Sequence, residues 1–179
     1  MKAENGHSTA APDRDNDPGI VITSRVRLAR NVKDFPFPGW LKKADRLKLL
    51  DQIQPTVSDL SAMRPAKVSV AMETLSPLEK QLLVEKHLIS REHAAKNAGS
   101  GLVVNPDETL SVMINEEDHL RLQALRPGFH LQEAWEAADK LDSALEEKLE
   151  FSFSPSLGYL TACPTNVGTG MREIGRAHV

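Results

Sequence analysis

The chain of 179 residues holds one cysteine, so it has no internal disulfide and fits a reducing compartment. No apolar run approaches the roughly 20 residues that span a bilayer. The N-terminal stretch MKAENGHSTAAPDRDNDPG has no apolar signal-peptide core. These absences lead to the expectation of a cytoplasmic protein with no membrane partner. Charge of one sign is also lacking. Lys and Arg number 22 against 25 Asp and Glu, a net charge of -3. That balance excludes a generally basic nucleic-acid coat and leaves room for a local cationic site, so no direct nucleic-acid partner is expected. Neither GxGxxG nor GxxxxGK[ST] occurs, so both standard phosphate loops are missing. There is no internal repeat and no low-complexity tract.

What remains is ordinary for a soluble globular protein: 40% hydrophobic and 26% charged residues. At roughly 150 residues per domain the length fits one domain, which can bury about 70% of the surface of its unfolded chain. Residues 1–19 are polar, with Pro12, Pro18 and Gly19, and read as a flexible leader. Ile20 to Thr23 is a β-branched run with a strand signal, leading into Ser24-Arg25-Val26-Arg27-Leu28-Ala29-Arg30-Asn31. Phe35-Pro36-Phe37-Pro38-Gly39-Trp40 cannot be regular helix. Residues 44–61 have helical spacing, with Pro55 expected to kink or split the helix. Ala66 to Met72 alternates as a strand. Ser76-Pro77-Leu78-Glu79 is a helix start with a capping box, and that helix is expected to run to about Ile89. Residues 91–100 read as a loop. Residues 102–104 and 110–114 read as a hairpin, 119–125 as a third strand, and 130–149 as the strongest amphipathic helix. Two short strands around Pro155 and Gly158 precede a Gly/Thr-rich loop at 163–170. Hairpins with a few long helices favour α+β over a parallel doubly wound sheet.

Three stretches are polar enough to carry chemistry. Arg25 and Arg27 are two apart on a strand and point to one side, where a polyphosphate would neutralise them; a solvated face paired with carboxylates is the plain alternative. Asn115-Glu116-Glu117-Asp118-His119 ends an apolar strand with three consecutive acids, suited to a base, a metal ligand or a clamp for a cation, or else to an acidic turn in water. Cys163-Pro164-Thr165-Asn166 places the one thiol in a loop, either as a thiolate near cations or as a small buried residue. Arginines, a carboxylate and a thiol together fit phosphoryl transfer, in which the protein mainly positions partners and stabilises charge.

These same stretches, TSRVRLARN at 23–31, NEEDHLR at 115–121 and CPTNVGTGMR at 163–172, resemble the catalytic domain of the phosphagen (guanidino) kinases in order and spacing. The resemblance covers about residues 20–172. Within the family, Pro77 to Lys80, Val84 to Ser90 and Gly158 to Pro164 are similar to the bacterial protein-arginine kinase branch. So is the short stretch of about 19 residues before the first motif. The resemblance implies an α+β fold, a glutamine synthetase-like antiparallel β-sheet flanked by helices. It implies transfer of the γ-phosphoryl group of ATP, with Mg2+, to a guanidinium nitrogen of protein arginine. The partners it implies are proteins with exposed arginine, an activator protein and a Clp protease system that degrades marked targets, with a homodimer for a full-length form. Residue by residue, Thr23, Ser24, Arg25, Val26 and Arg27 match the stretch holding the ATP phosphates. His87 matches a histidine at the nucleotide site, and Arg121 and Arg172 match further phosphate-binding arginines. Glu117 matches the carboxylate that grips the guanidinium and is the expected base. Cys163 matches the cysteine beside that guanidinium. No protein metal ligand is expected.

After Arg172 the sequence Glu173-Ile174-Gly175-Arg176-Ala177-His178-Val179 departs from the family pattern and resembles a translated sequencing adapter. The expectation is therefore an incomplete catalytic domain at 20–172, an artefactual tail at 173–179, and a chain that by itself is poorly stable and close to inactive. Two alternatives stay open: a kinase for a free guanidino metabolite such as arginine, and a non-catalytic module that binds a nucleotide or phosphoarginine.

Overall fold

The computed structural model describes residues 21–96 and 98–177; the expected leader at 1–19 lies outside the described residues. In chain order the elements are β1 (Val21–Arg30), α1 (Lys43–Ser58), β2 (Val68–Ala71), α2 (Pro77–Glu85), α3 (Arg91–Ala94), β3 (Gly101–Val104), β4 (Leu110–Ile114), β5 (Leu120–Pro127), α4 (Leu131–Glu146), β6 (Phe153–Ser154), β7 (Gly158–Tyr159) and β8 (Met171–Ala177). Six strands form one sheet in the order β2-β3-β4-β5-β1-β8, and every neighbouring pair is antiparallel. The short β6–β7 hairpin stands apart. This is the α+β architecture expected.

Strand alternation divides the sheet into two chemically different faces. Val26, Leu28, Val103, Val112, Ile114, Leu120, Leu122 and Ala124 share one face and are buried under α1 and α4. Helix α1 presents Leu49, Leu50, Ile53 and Val57, and α4 presents Ala134, Ala138, Leu141 and Leu145. The buried Arg30 of β1 pins α4 in place. Its Nε donates to Asp142 Oδ1 at 3.0 Å, and its Nη2 lies 2.6 Å from Asp142 Oδ2. Its Nη1 donates to Ala29 O and Thr169 O, and its guanidinium sits 3.5 Å from the centre of the Tyr159 ring.

The opposite face is apolar over only half its width. Leu102, Val104 and Met113 pack there with Leu83, Leu88 and Ile89 from the α2 region. Further along, towards β8, the same face carries Arg121, Gln123, Arg25, Arg27 and Arg172, as the register pairs Met113↔Arg121, Arg27↔Gln123 and Arg27↔Arg172 require. Helix α2 thus covers the apolar half and leaves the arginine half open.

Helix starts follow the sequence. Ser76 and Glu79 form the reciprocal capping box, with Pro77 at the first helical position. The helix ends at Glu85, short of Ile89, because His87 adopts a left-handed conformation at φ 60 and Leu88 N donates back to Leu83 O. Residues 91–100 are not all loop: Ser90 caps the single turn α3 by accepting from His93 N at 2.9 Å. Pro55 does not split α1. It lies near the C-terminal end, where one lost backbone hydrogen bond is outweighed by the buried face around it. Residues 173–177, which depart from the family pattern, continue β8 against β1. Antiparallel pairing uses backbone groups alone, so it makes few demands on which side chains are present.

Candidate active site

The arginine face opens into a cleft of about 670 Å³ lined by cations (Arg27, Arg121, Arg172, Lys96), acids (Glu92, Glu116, Glu117) and an aromatic edge of Phe37 and Trp40. Arg27 is half-buried. Its Nε donates to Gln123 Oε1 at 3.0 Å. Burial first, then the like charges of Arg25 and Arg121, push its pKa down to about 10. It stays charged at neutral pH, but crowded, and an anion brought among these guanidiniums would relieve the repulsion.

A smaller cavity of about 290 Å³, lined by Thr23, Arg25, His87, Leu125, Ile174 and Gly175, shares the arginine face. Gln123 positions its wall: Nε2 donates to His87 O at 2.7 Å and to Ser111 Oγ at 3.1 Å, while Ser111 Oγ donates to Leu88 O at 2.9 Å. The left-handed turn that presents His87 is thus tied to β4 and β5. Gln123 was missed in the sequence, although its position two residues after Arg121 places it on the same face.

Two residues of the first motif point away. Ser24 and Val26 are fully buried on the α4 side. Ser24 Oγ donates to Gly128 O at 2.8 Å and accepts from His130 N at 3.0 Å. Within the stretch matched to the ATP phosphates, alternation puts the side chains of 24 and 26 through the sheet and leaves those of Thr23, Arg25 and Arg27 on the open side.

The acid motif is the β4–β5 turn, and its residues have separate tasks. Asn115, at φ 57, makes the sharp bend; its Nδ2 donates to Gly99 O at 2.7 Å and Arg46 O at 3.1 Å. Glu116 is buried, accepts from Ser90 Oγ, and holds Arg121 Nη1 at 2.6 Å. Asp118 is fully buried. Its Oδ1 accepts from Asn31 Nδ2 at 2.6 Å and from Ala162 N at 2.7 Å, which ties the acid turn to the loop carrying Cys163. Burial raises its carboxyl pKa despite those hydrogen bonds. His119 Nδ1 accepts from Val32 N at 3.0 Å, so the Nε2 hydrogen is directed to Pro36 O at 2.9 Å. Burial pushes the ring pKa down to about 4, which keeps it neutral. Only Glu117 turns outward. Its side chain is 48% exposed, and Arg121 Nη2 lies 3.0 Å from its Oε2. The three acids therefore do not act as one cluster: Glu116 is buried in the cleft wall against Arg121, Asp118 is buried behind it, and Glu117 alone is exposed in the cleft.

Cys163 is half-buried beside the cleft, one residue after the lining residue Ala162. Its Sγ is 2.9 Å from Thr165 Oγ1, which also accepts from Arg172 Nη2 at 3.2 Å. Gly170, at φ 66, lets this loop close onto β1, with Ala29 N donating to its carbonyl at 2.8 Å. A Cβ there would come within 2.6 Å of Ala29 O, so the position needs glycine. Sequence reasoning did not single out Glu92, Lys96, Phe37 or Trp40. They reach the cleft from loops and from the single turn α3, where no periodic pattern announces a direction. Among the described residues, no group of three or more His, Cys, Asp or Glu is arranged to hold a metal ion. No described helix is long and apolar enough to cross a membrane.

Comparison with known proteins gives this geometry a family. Residues 48–175 match the ATP:guanido phosphotransferase C-terminal catalytic domain. A protein-arginine kinase of Halothermothrix orenii is 46% identical over 168 residues, covering 94% of this chain and 46% of that protein. One from Syntrophomonas wolfei is 48% identical over 163 residues, covering 89% of this chain and 45% of its own length. The chain spans about half the length of the curated relatives it matches. Among solved structures, the duplicated taurocyamine kinase of Schistosoma mansoni with bound transition-state analogue components superposes with a TM-score of 0.81 at 29% identity, over 88% of this chain and 23% of that one. A lombricine kinase shares the fold, with a TM-score of 0.70 at 22% identity over 86% of this chain and 46% of its own. An arginine face beside one outward acid, on a sheet shared with these enzymes and across a profile match of this extent, places the chain in the ATP:guanido phosphotransferase family, within its catalytic domain.

Proposed function

We propose that this chain carries the nucleotide face and the acceptor carboxylate of a kinase that transfers the γ-phosphoryl group of ATP to arginine side chains of proteins. The observation that carries the reading is the placement of Glu117, the one outward acid of its turn, in a cleft walled by Arg27, Arg121 and Arg172. The arginines suit a polyphosphate: guanidiniums bind phosphate oxygens in pairs and offset the charge that develops as the phosphoryl group leaves. Arg25, with Thr23 and His87, extends that surface along the strand for the rest of the nucleotide. Mg2+ arrives with ATP and screens the phosphate oxygens.

A guanidinium is a poor nucleophile because its pKa is above about 12. Glu117 would hold the cation in line and accept the proton released as the P–N bond forms and the γ-phosphate P–O bond breaks, a role worth roughly 10²–10⁴-fold in rate. Glu116 keeps Arg121 aimed, and Asp118 keeps the Cys163 loop against the acid turn. Cys163 would lie beside the bound guanidinium, where a thiolate adds negative charge. The reading extends to a cytoplasmic setting, an activator protein, a Clp protease system that reads the phosphoarginine mark, and a homodimer in the longer form.

Binding tests this reading directly. ATP with Mg2+ should bind the 179-residue chain, and Arg27→Ala should weaken it at least tenfold. An arginine peptide should bind the parent and not Glu117→Gln, which keeps its affinity for ATP. Equal peptide binding by the parent and Glu117→Gln would sink the assignment. Acid-labile phosphoarginine on an arginine-rich protein, formed by a longer protein carrying this sequence and lost in its Glu117→Gln variant, tests the transfer step.

A further inference from the structure

The cleft has an aromatic edge that phosphoryl transfer does not use. Trp40 is 84% exposed yet lines the same cleft as Glu117. An exposed tryptophan is ordinarily no anomaly, but the loop that carries this one is anchored. Its own N donates to Phe37 O at 2.8 Å, Pro38 is buried, and Arg46 Nη2 reaches Pro38 O at 3.3 Å. Leu41, next in sequence, is buried in the main core. The loop is also fixed to the acid turn. His119 Nε2 is bonded to Pro36 O at 2.9 Å, and the Phe35 ring meets the His119 ring edge-on at 6.2 Å. The residue that follows Asp118 in the acid turn therefore sets where the Trp40 loop sits relative to Glu117.

We infer that Trp40 is the platform for the polypeptide on either side of the acceptor arginine, and so the residue that favours protein-borne over free arginine. This rests on the protein-arginine reading above. An arginine within a polypeptide can send only its side chain to Glu117, and its backbone must stay at the mouth of the cleft. A broad apolar surface with a polar N–H, carried on an anchored loop, is the chemistry that binds such a flank at low entropic cost. A free amino acid would instead be enclosed and dehydrated around its whole length. A tryptophan left 84% in water at the mouth encloses nothing until a longer ligand covers it. Phe37, half-buried behind the same edge, broadens the surface.

The test is fluorescence anisotropy on the full 179-residue chain with a labelled acetyl-Gly-Gly-Arg-Gly-Gly-amide peptide, competed by free arginine. Trp40→Ala should weaken the peptide about thirtyfold, as an interface anchor does. Trp40→Phe should restore most of that loss, and inhibition by free arginine should be unchanged within about twofold. Because Trp40 is largely in water, the fold should survive, and unchanged thermal unfolding confirms it. Peptide affinity within twofold of the parent in Trp40→Ala overturns the inference, as does an equal loss for peptide and free arginine. In both cases binding that still depends on Glu117 leaves the protein-arginine reading standing. Peptide binding that is absent, or indifferent to Glu117→Gln, removes that reading and the platform with it.

Discussion

Lowering the pH from 7 to 5 should destabilise this domain before any carboxylate pairing fails, because two buried histidines must stay neutral. His119 and His93 are fully buried, and burial pushes each ring pKa from 6.5 down to about 4. His119 has no room for a second proton, since Nδ1 accepts from Val32 N. His93 Nε2 is bonded to Gly101 O at 2.9 Å, and Arg121 and Lys96 nearby also oppose a positive charge. With the folded pKa below the unfolded one, the unfolded state takes up protons first. Stability is therefore full above about pH 6.5 and falls as the pH drops towards 4. Linkage gives about 2 kcal/mol lost per histidine between pH 7 and pH 5, hence about 4 kcal/mol for the pair. Asp118 works in the opposite direction, because its raised pKa lets the folded state hold a proton at higher pH than the unfolded state. The lowered carboxyl pKa values of Glu79 and Glu108 matter only below about pH 4.5. The assay is urea unfolding at both pH values for the parent and His119→Asn, whose side-chain oxygen can take the Val32 N–H. The parent should lose about 3–4 kcal/mol and the variant about 2 kcal/mol less than the parent. A parent equally stable at both pH values, or a variant with the parent's full loss, would refute the argument.

Other substitutions probe the rest of the design. Asp142→Ala leaves the Arg30 charge buried without its carboxylate and should cost about 3–5 kcal/mol in urea unfolding, far more than a surface pair; a loss under 1 kcal/mol would mean the bridge does not hold α4. Gly170→Ala should lower the melting temperature, because the new Cβ meets the Ala29 carbonyl and the left-handed φ is strained by about 1–3 kcal/mol. Inorganic tripolyphosphate should raise the melting temperature at low salt and much less at high salt. Arg27→Ala should remove most of that rise; a salt-independent rise would place the anion elsewhere.

Much of the fold was legible because its signals are local. Ser76, Pro77 and Glu79 announce α2, the three- and four-residue steps from Leu131 to Leu145 announce α4, and the alternation of β1 announces that Arg25 and Arg27 share a side. The end of α2 was not legible, because nothing local marks His87 as left-handed; Ser111 and Gln123, on two separate strands, hold that turn. The division of labour among the acids was equally hidden. Glu116, Glu117 and Asp118 are alike by spacing, and what separates them is contact with Ser90, Arg121, Asn31 and Ala162, distant in sequence for all but Arg121.

Beyond the antiparallel sheet and the guanidinium acceptor, which the family resemblance implied, the sequence by itself determined most element types, the α+β class and the residue kinds suited to phosphoryl transfer. These follow from periodicity, capping and motif chemistry, which act over a few residues. Only the tertiary structure decided which arginines share an open face, which of three adjacent acids meets the solvent, and that an exposed tryptophan stands at the mouth of their cleft. Those outcomes depend on strand order and on α2 covering one half of a sheet face, and no stretch of chain contains that information alone.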